Sequence, residues 1–169
     1  MLLYIVRHAW AFERDAEQFP DDRLRPLTPE GTKRFRRVVR RLVRRGVRPS
    51  VIATSPLVRC RQTADLLAAQ LDDEVPLEEI DALAPGSDLE AALDWTKGQL
   101  QRRDDAREMQ VAWVGHSPDV EELAARLIGD RGAAIRFAKG AVAAIRFADE
   151  PAVAAGRLDW LVTARILGQ

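Results

Sequence analysis

The chain has 169 residues, 47% of them hydrophobic and 31% charged, a composition that fills one core and excludes disordered, collagen-like and coiled-coil classes. Its 26 Lys and Arg cancel its 26 Asp and Glu, so no net field draws the whole molecule toward nucleic acid or an anionic membrane, and any charge logic is local. A single cysteine, Cys60, excludes an intrachain disulfide framework; with no signal-like N-terminus and no apolar run of ~18 residues, the expectation is one cytoplasmic domain over residues 1–169, without membrane or nucleic-acid partners.

Leu2–Val6 is a continuous apolar, β-rich run that suits a strand buried on both faces of a parallel sheet, and it ends in Arg7-His8. Residues 11–26 turn polar, with Pro20, Asp21 and Asp22 marking a loop long enough to suggest function. Thr28 as N-cap, Pro29 at the first position and Gly46 as stop bracket a helix in which Phe35, Val38, Val39, Leu42 and Val43 recur at helical spacing. Val51–Thr54 reads as a second strand, cut by Ser55-Pro56, and Leu57–Leu71 as a second helix. Residues 75–86 read as an acidic connector, after which Ser87 or Asp88 caps a third helix carrying Leu89, Ala92, Leu93, Trp95 and Leu100. Gln110–Val114 is a third strand that breaks at Gly115-His116, where Ser117-Pro118 supplies an N-cap and first-turn proline for a helix over Val120–Ile128. Ala141–Phe147 and Arg157–Val162 are two further strands around a turn at Asp149–Gly156. Strands and helices alternate to residue 129 and then give way to a hairpin-like pair, which predicts a layered α/β fold with a mostly parallel sheet and an antiparallel edge.

In open α/β sheets ligands gather beyond the carboxyl ends of the strands. Three strand ends here deliver Arg7-His8, Arg59 and His116, so both histidines of the chain fall at such ends. Two arginines and two imidazoles suit a phosphoryl group, whose transfer is governed by positioning and electrostatic stabilisation. Arginine offers phosphate a bidentate fork, and a neutral imidazole is a competent nucleophile near pH 7. On this reading His8 attacks, His116 acts as a charged donor, and the helix starts after Ser55 and Ser117 add amide donors. Other chemistries lack their residues: Leu66 stands where a Cys-x5-Arg phosphatase needs arginine, Asp119 ends the G-x-S-x-G-like run at Gly115, and no P-loop, dinucleotide or H-E-x-x-H motif occurs.

The segments YIVRHA (4–9), RPLTPEG (25–31), TSPLVRCRQTA (54–64) and VGHSPDVEELA (114–124), in this order, resemble the histidine phosphatase superfamily, and most its short SixA-type phosphohistidine phosphatases. The resemblance spans nearly the whole chain. It implies a three-layer α/β/α sandwich of phosphoglycerate-mutase-like fold and a metal-independent, cofactor-free phosphatase. The substrate would be a phosphohistidine-bearing protein of a phosphotransfer system or a small phosphorylated molecule; the alternative from another class is a non-catalytic phosphate-binding module that kept the fold. His8 would be the phosphorylated nucleophile, with Arg7, Arg59 and His116 completing the phosphate pocket. Ala9 stands where the family's RHG motif has glycine. The glutamate that larger relatives use as proton donor has no clear match, and Asp81 and Asp88 are the nearby candidates, with surface acids as the plain alternative. Lys139, in a Lys139-Gly140-Ala141 segment similar to one in these phosphatases, is a further candidate for substrate contact.

The remaining features have plainer readings. The basic positions Lys33, Arg34, Arg36, Arg37, Arg40, Arg41, Arg44 and Arg45 make a solvated helix face. Cys60 is a small packed residue, Trp10 rims the pocket or packs, and Trp95, Trp113 and Trp160 pack. Asp21, Asp22 and Arg25 order the long loop as ion pairs or touch substrate.

Overall fold

A computed structural model describes residues 1–71, 74–102 and 108–169. Six strands form one sheet: β1 (Leu2–Arg7), β2 (Val51–Thr54), β3 (Leu77–Glu79), β4 (Gln110–Gly115), β5 (Val142–Arg146) and β6 (Arg157–Val162), in the order β3-β2-β4-β1-β5-β6. The first four positions in that order pair in parallel. β5 runs antiparallel to β1 on one side and to β6 on the other. The reversed strand is therefore β5, one place in from the edge strand β6.

Among the described residues four α-helices cover the two faces: α1 (Pro29–Val43), α2 (Val58–Ala68), α3 (Leu89–Gln101) and α4 (Asp119–Leu127). The alternation of β1 sorts the core. Leu3 and Ile5 pack with Leu93 of α3 and Leu123 of α4, whereas Tyr4 and Val6 pack with Phe35 of α1 and Ala64 of α2. Both faces of the strand are thus buried, which is why its sequence is apolar without interruption. Each fully buried aliphatic or aromatic side chain contributes roughly 1.5–3 kcal/mol, and Trp113, Tyr4 and Phe35 are among the largest of them. The indole of Trp113 also donates to Thr96 Oγ1 at 3.0 Å.

Local signals set the helix ends. Thr28 Oγ1 accepts from the Gly31 amide at 2.9 Å and caps α1, and Gly46 adopts φ +89° just beyond it. Gly31 is required by packing, since a Cβ there would strike the Trp10 carbonyl. Asp88 caps α3 by accepting from the Ala91 amide. Two expectations need correction. The connector at 75–86 contains β3, whose Leu77 and Glu79 pair with Ile52 and Thr54. Ser117 does not cap α4: the helix begins at Asp119, Pro118 holds the cap position, no side chain makes a cap bond, and the Ser117 hydroxyl donates to Glu121 Oε1 at 2.9 Å.

Candidate active site

β1 ends at Arg7, and the next residue, His8, is fixed from both sides by backbone. Its amide donates to the Gly115 carbonyl at the end of β4, 3.0 Å, and its carbonyl accepts from the Gly140 amide at 3.1 Å. Gly140 is at φ +69°, which strains any other residue, and a Cβ there would sit 3.0 Å from the Trp10 ring and 3.1 Å from that of Phe35. The adjacent Ala9 amide donates to Thr63 Oγ1 at 3.0 Å, and Thr63 in turn donates to the Arg59 carbonyl at 2.7 Å. The Gln-Thr pair of the α2 motif therefore acts as a brace: Thr63 holds the turn carrying His8, and Gln62 accepts from the Leu27 amide at 2.7 Å to hold the segment leading into α1.

The His8 ring is oriented by its own turn. Nδ1 lies 2.8 Å from the Ala9 carbonyl oxygen, which can only accept, so Nδ1 carries the proton and Nε2 keeps its lone pair. Burial, with the positive charges of Arg59 and Arg7 nearby, pulls the His8 pKa down to about 3. His116, at the end of β4, has its ring centroid 5.4 Å from that of His8 and shares a 2.8 Å hydrogen bond between Nε2 and Ser55 Oγ. Burial and Arg59 pull its pKa to about 4. In the free pocket desolvation disfavours the charged form of both imidazoles. Cys60 packs behind them, fully buried, with Sγ 3.4 Å from His116 Nε2 and its thiol pushed up to about 12 by burial.

The arginines are held differently. Arg7 Nη1 donates to the Phe137 carbonyl at 2.6 Å. The amide of that residue donates to Glu121 Oε1 at 3.2 Å, so Arg7, Phe137, Glu121 and Ser117 form one chain of bonds that sequence gave no sign of. Arg59, 4% exposed, is engaged by the long loop. Its Nη1 donates to the Asp22 carbonyl at 2.8 Å, and its Nη2 pairs with Asp22 Oδ2 at 3.1 Å. Arg25 pairs with Asp22 Oδ1 at 2.8 Å, and Arg25 foremost, then Arg59 and Arg14, hold the Asp22 carboxyl at about 2. The loop-ordering ion pair expected here is made by Asp22 and Arg25, whereas Asp21 accepts from the Arg23 amide at 2.9 Å. The Nε atoms of Arg7 and Arg59 are both buried without a hydrogen-bond partner.

The structure thus brings Arg7, His8, Arg59 and His116 together at the carboxyl ends of β1 and β4 and the start of α2. It does not bring Asp88 into that group, because its carboxylate is spent on capping α3; Asp81 opens a short 3-10 turn, Asp81–Leu83, and is exposed. Lys139 pairs with Glu13 at 3.4 Å on the rim. The amides of Val120 and Glu121 bond the His116 and Pro118 carbonyls, so the start of α4 does not offer them as free anion donors. Among the described residues no group of three or more His, Cys, Asp or Glu is placed to hold a metal ion, and no helix is long and apolar enough to cross a membrane.

A family profile described as histidine phosphatase superfamily (branch 1) matches residues 3–128. An uncharacterized protein of Picosynechococcus sp. is 36% identical over 147 residues, covering 86% of this chain and 85% of that one. Among solved structures, the protein histidine phosphatase SixA complexed with tungstate superposes with a TM-score of 0.82 at 24% identity, over 99% of each chain. The alpha-ribazole phosphatase of Shigella flexneri does so at 0.64 and 18%, over 97% of each. At such identities the likeness is one of fold, the phosphoglycerate-mutase-like α/β/α sandwich. The profile match over most of the chain and the Picosynechococcus relative go further: the chain belongs to the histidine phosphatase superfamily.

Proposed function

We propose that this protein is a phosphohistidine phosphatase acting through a phospho-His8 intermediate. The observation that carries the reading is the state of the His8 ring. Its Nδ1 proton is committed to the Ala9 carbonyl at 2.8 Å and burial keeps it from protonating, so Nε2 offers a lone pair beside two arginines.

In the first step Nε2 forms a bond to phosphorus while the bond to the substrate's leaving nitrogen breaks. The phosphoryl oxygens gather charge, and Arg7, Arg59 and a His116 that gains basicity beside a dianion stabilise it. Arg59 is shared with Asp22, so phosphate competes for one face of its fork. In the second step water forms the new P–O bond as the P–N bond to His8 breaks; the ring returns neutral with its proton still on Nδ1, and both water protons leave with the phosphate as dihydrogen phosphate.

The preference for P–N over P–O bonds follows from the acids at hand. Asp22, the carboxylate whose charge His116 feels, sits at about 2 and holds no proton to give. A general acid contributes typically 10²–10⁴ in rate, which an alkoxide leaving group needs. A phosphohistidine protonated on its ring leaves as neutral imidazole and needs none. The test is kcat/KM for a phosphohistidine protein, an aryl phosphate and a sugar phosphate, expected to fall in that order. A sugar phosphate turned over fastest would replace this reading with a small-molecule phosphomonoesterase and return Asp81 to consideration as its acid.

A further inference from the structure

Beside Arg7 lies a cleft of about 490 Å³ whose lining includes Arg7, Trp10, Arg34, Arg136, Lys139 and Arg165. Five cationic side chains line one space and no carboxylate is among its lining residues, in a chain whose charges cancel overall; of the five, Lys139 is paired at the rim with the exposed Glu13, 3.4 Å away. Another cleft, of about 580 Å³, carries both signs, Glu121 and Glu122 with Arg126 and Arg131. Arg34 is held in place by stacking on Trp10, 4.1 Å from the ring centroid, and by donating to the Gln169 backbone oxygen at 2.8 Å. The Nε atoms of Arg34 and Arg7 are buried and unpartnered. The charge of Arg136 reaches Arg7 and, with burial as the main cause, disfavours its protonated form. Gathering like charges this way is unfavourable unless an anion offsets it, and the volume is many times the ~30 Å³ of one water molecule.

We propose that this cleft is a second anion subsite, and that the substrate carries at least one further anionic group beside the phosphoryl group presented to His8. The proposal rests on the reading of His8 as nucleophile. Arg7 belongs to both places, reaching the phosphoryl pocket from one side and the cleft from the other, so it links the transferred group to the second anion. The shared chemistry is a polyanion; its source is either acidic residues flanking the phosphorylated side chain of a protein or a second phosphate of a small molecule.

Binding of tripolyphosphate and of orthophosphate, measured by calorimetry, tests it. Tripolyphosphate should bind at least tenfold tighter, and the ratio should collapse toward one in Arg136→Gln/Arg165→Gln. Arg40→Gln/Arg44→Gln, exposed in the last turn of α1 and at its C-cap, is the charge control and should keep the ratio. His8→Ala should also keep it, which separates failure of the subsite from failure of the nucleophile. Equal binding of the two anions, or equal loss in the control variant, overturns the proposal. Two kinetic arms then name the source. A phosphohistidine peptide with Asp and Glu flanks should lose its advantage over its Asn and Gln counterpart in the cleft variant if the source is a protein. A bisphosphate should lose its advantage over a monophosphate if it is a small molecule. No advantage in either arm with the wild-type protein overturns the proposal as well.

Discussion

Acidification is the perturbation that the buried imidazoles make most informative, because the chain has only two histidines and both lie in the pocket. In the unfolded chain each titrates near 6.5; folded, His8 titrates at about 3 and His116 at about 4. Below pH 6.5 the unfolded state therefore binds protons that the folded state refuses, and stability rises with pH across that window. The stabilisation is complete above pH 6.5 and is lost as pH falls toward the folded values. At pH 5 the proton linkage amounts to about 2 kcal/mol for each ring, or about 4 kcal/mol together, a large fraction of the ~5–15 kcal/mol of a typical domain. Urea unfolding at pH 7.5 and pH 5.0, in the wild type and in His8→Gln/His116→Gln, isolates the effect from the carboxylates. The wild type should lose about 4 kcal/mol more than the double variant. A difference under about 1 kcal/mol, or an NMR titration of either ring with a midpoint near 6.5, would refute the desolvated neutral pair.

The brace at Thr63 gives a second prediction: Thr63→Val leaves the Ala9 amide, 3.0 Å from the hydroxyl it donates to, buried without a partner. This should cost about 1–3 kcal/mol by urea unfolding, with kcat falling more than KM changes as the His8 turn loosens. Arg7→Lys and Arg59→Lys should each lower kcat/KM at least tenfold at unchanged charge, because a lysine lacks the bidentate fork; near-normal turnover in steady-state assays would remove both from the pocket. Turnover should be insensitive to EDTA, and strong inhibition that added Mg²⁺ reverses would contradict a purely side-chain pocket.

What the sequence discloses and what it hides divide along a physical line. β1 and β4 are legible because burial on both faces demands uninterrupted apolar runs, as in Leu3–Val6 and Val111–Val114. α1 is legible because Thr28, Pro29 and Gly46 act locally at its ends. β3 is not, because Leu77–Glu79 is a three-residue edge strand carrying two glutamates and owes its form to pairing with β2. The same holds in the site. His8, Arg7, Arg59 and His116 announce themselves by standing at strand ends. The roles of Asp22, Glu121 and the Phe137 backbone exist only once the loop at 11–26 and the segment at 130–140 have folded over the arginines. The cationic cleft is further from view still, since beside Arg7 its arginines come from positions 34, 136 and 165, far apart in the chain.

The central claim is that His8 carries the phosphoryl group, and trapping the intermediate tests it most directly. Labelled phosphoryl donor, mixed with enzyme and quenched in base within the first turnover, should leave one phosphate on the peptide that contains His8, stable in alkali and lost in acid. His8→Ala should show neither the label nor turnover, whereas Cys60→Ser should show both. Label that maps to His116, to a serine or to no peptide at all, or full turnover in His8→Ala, would contradict the account.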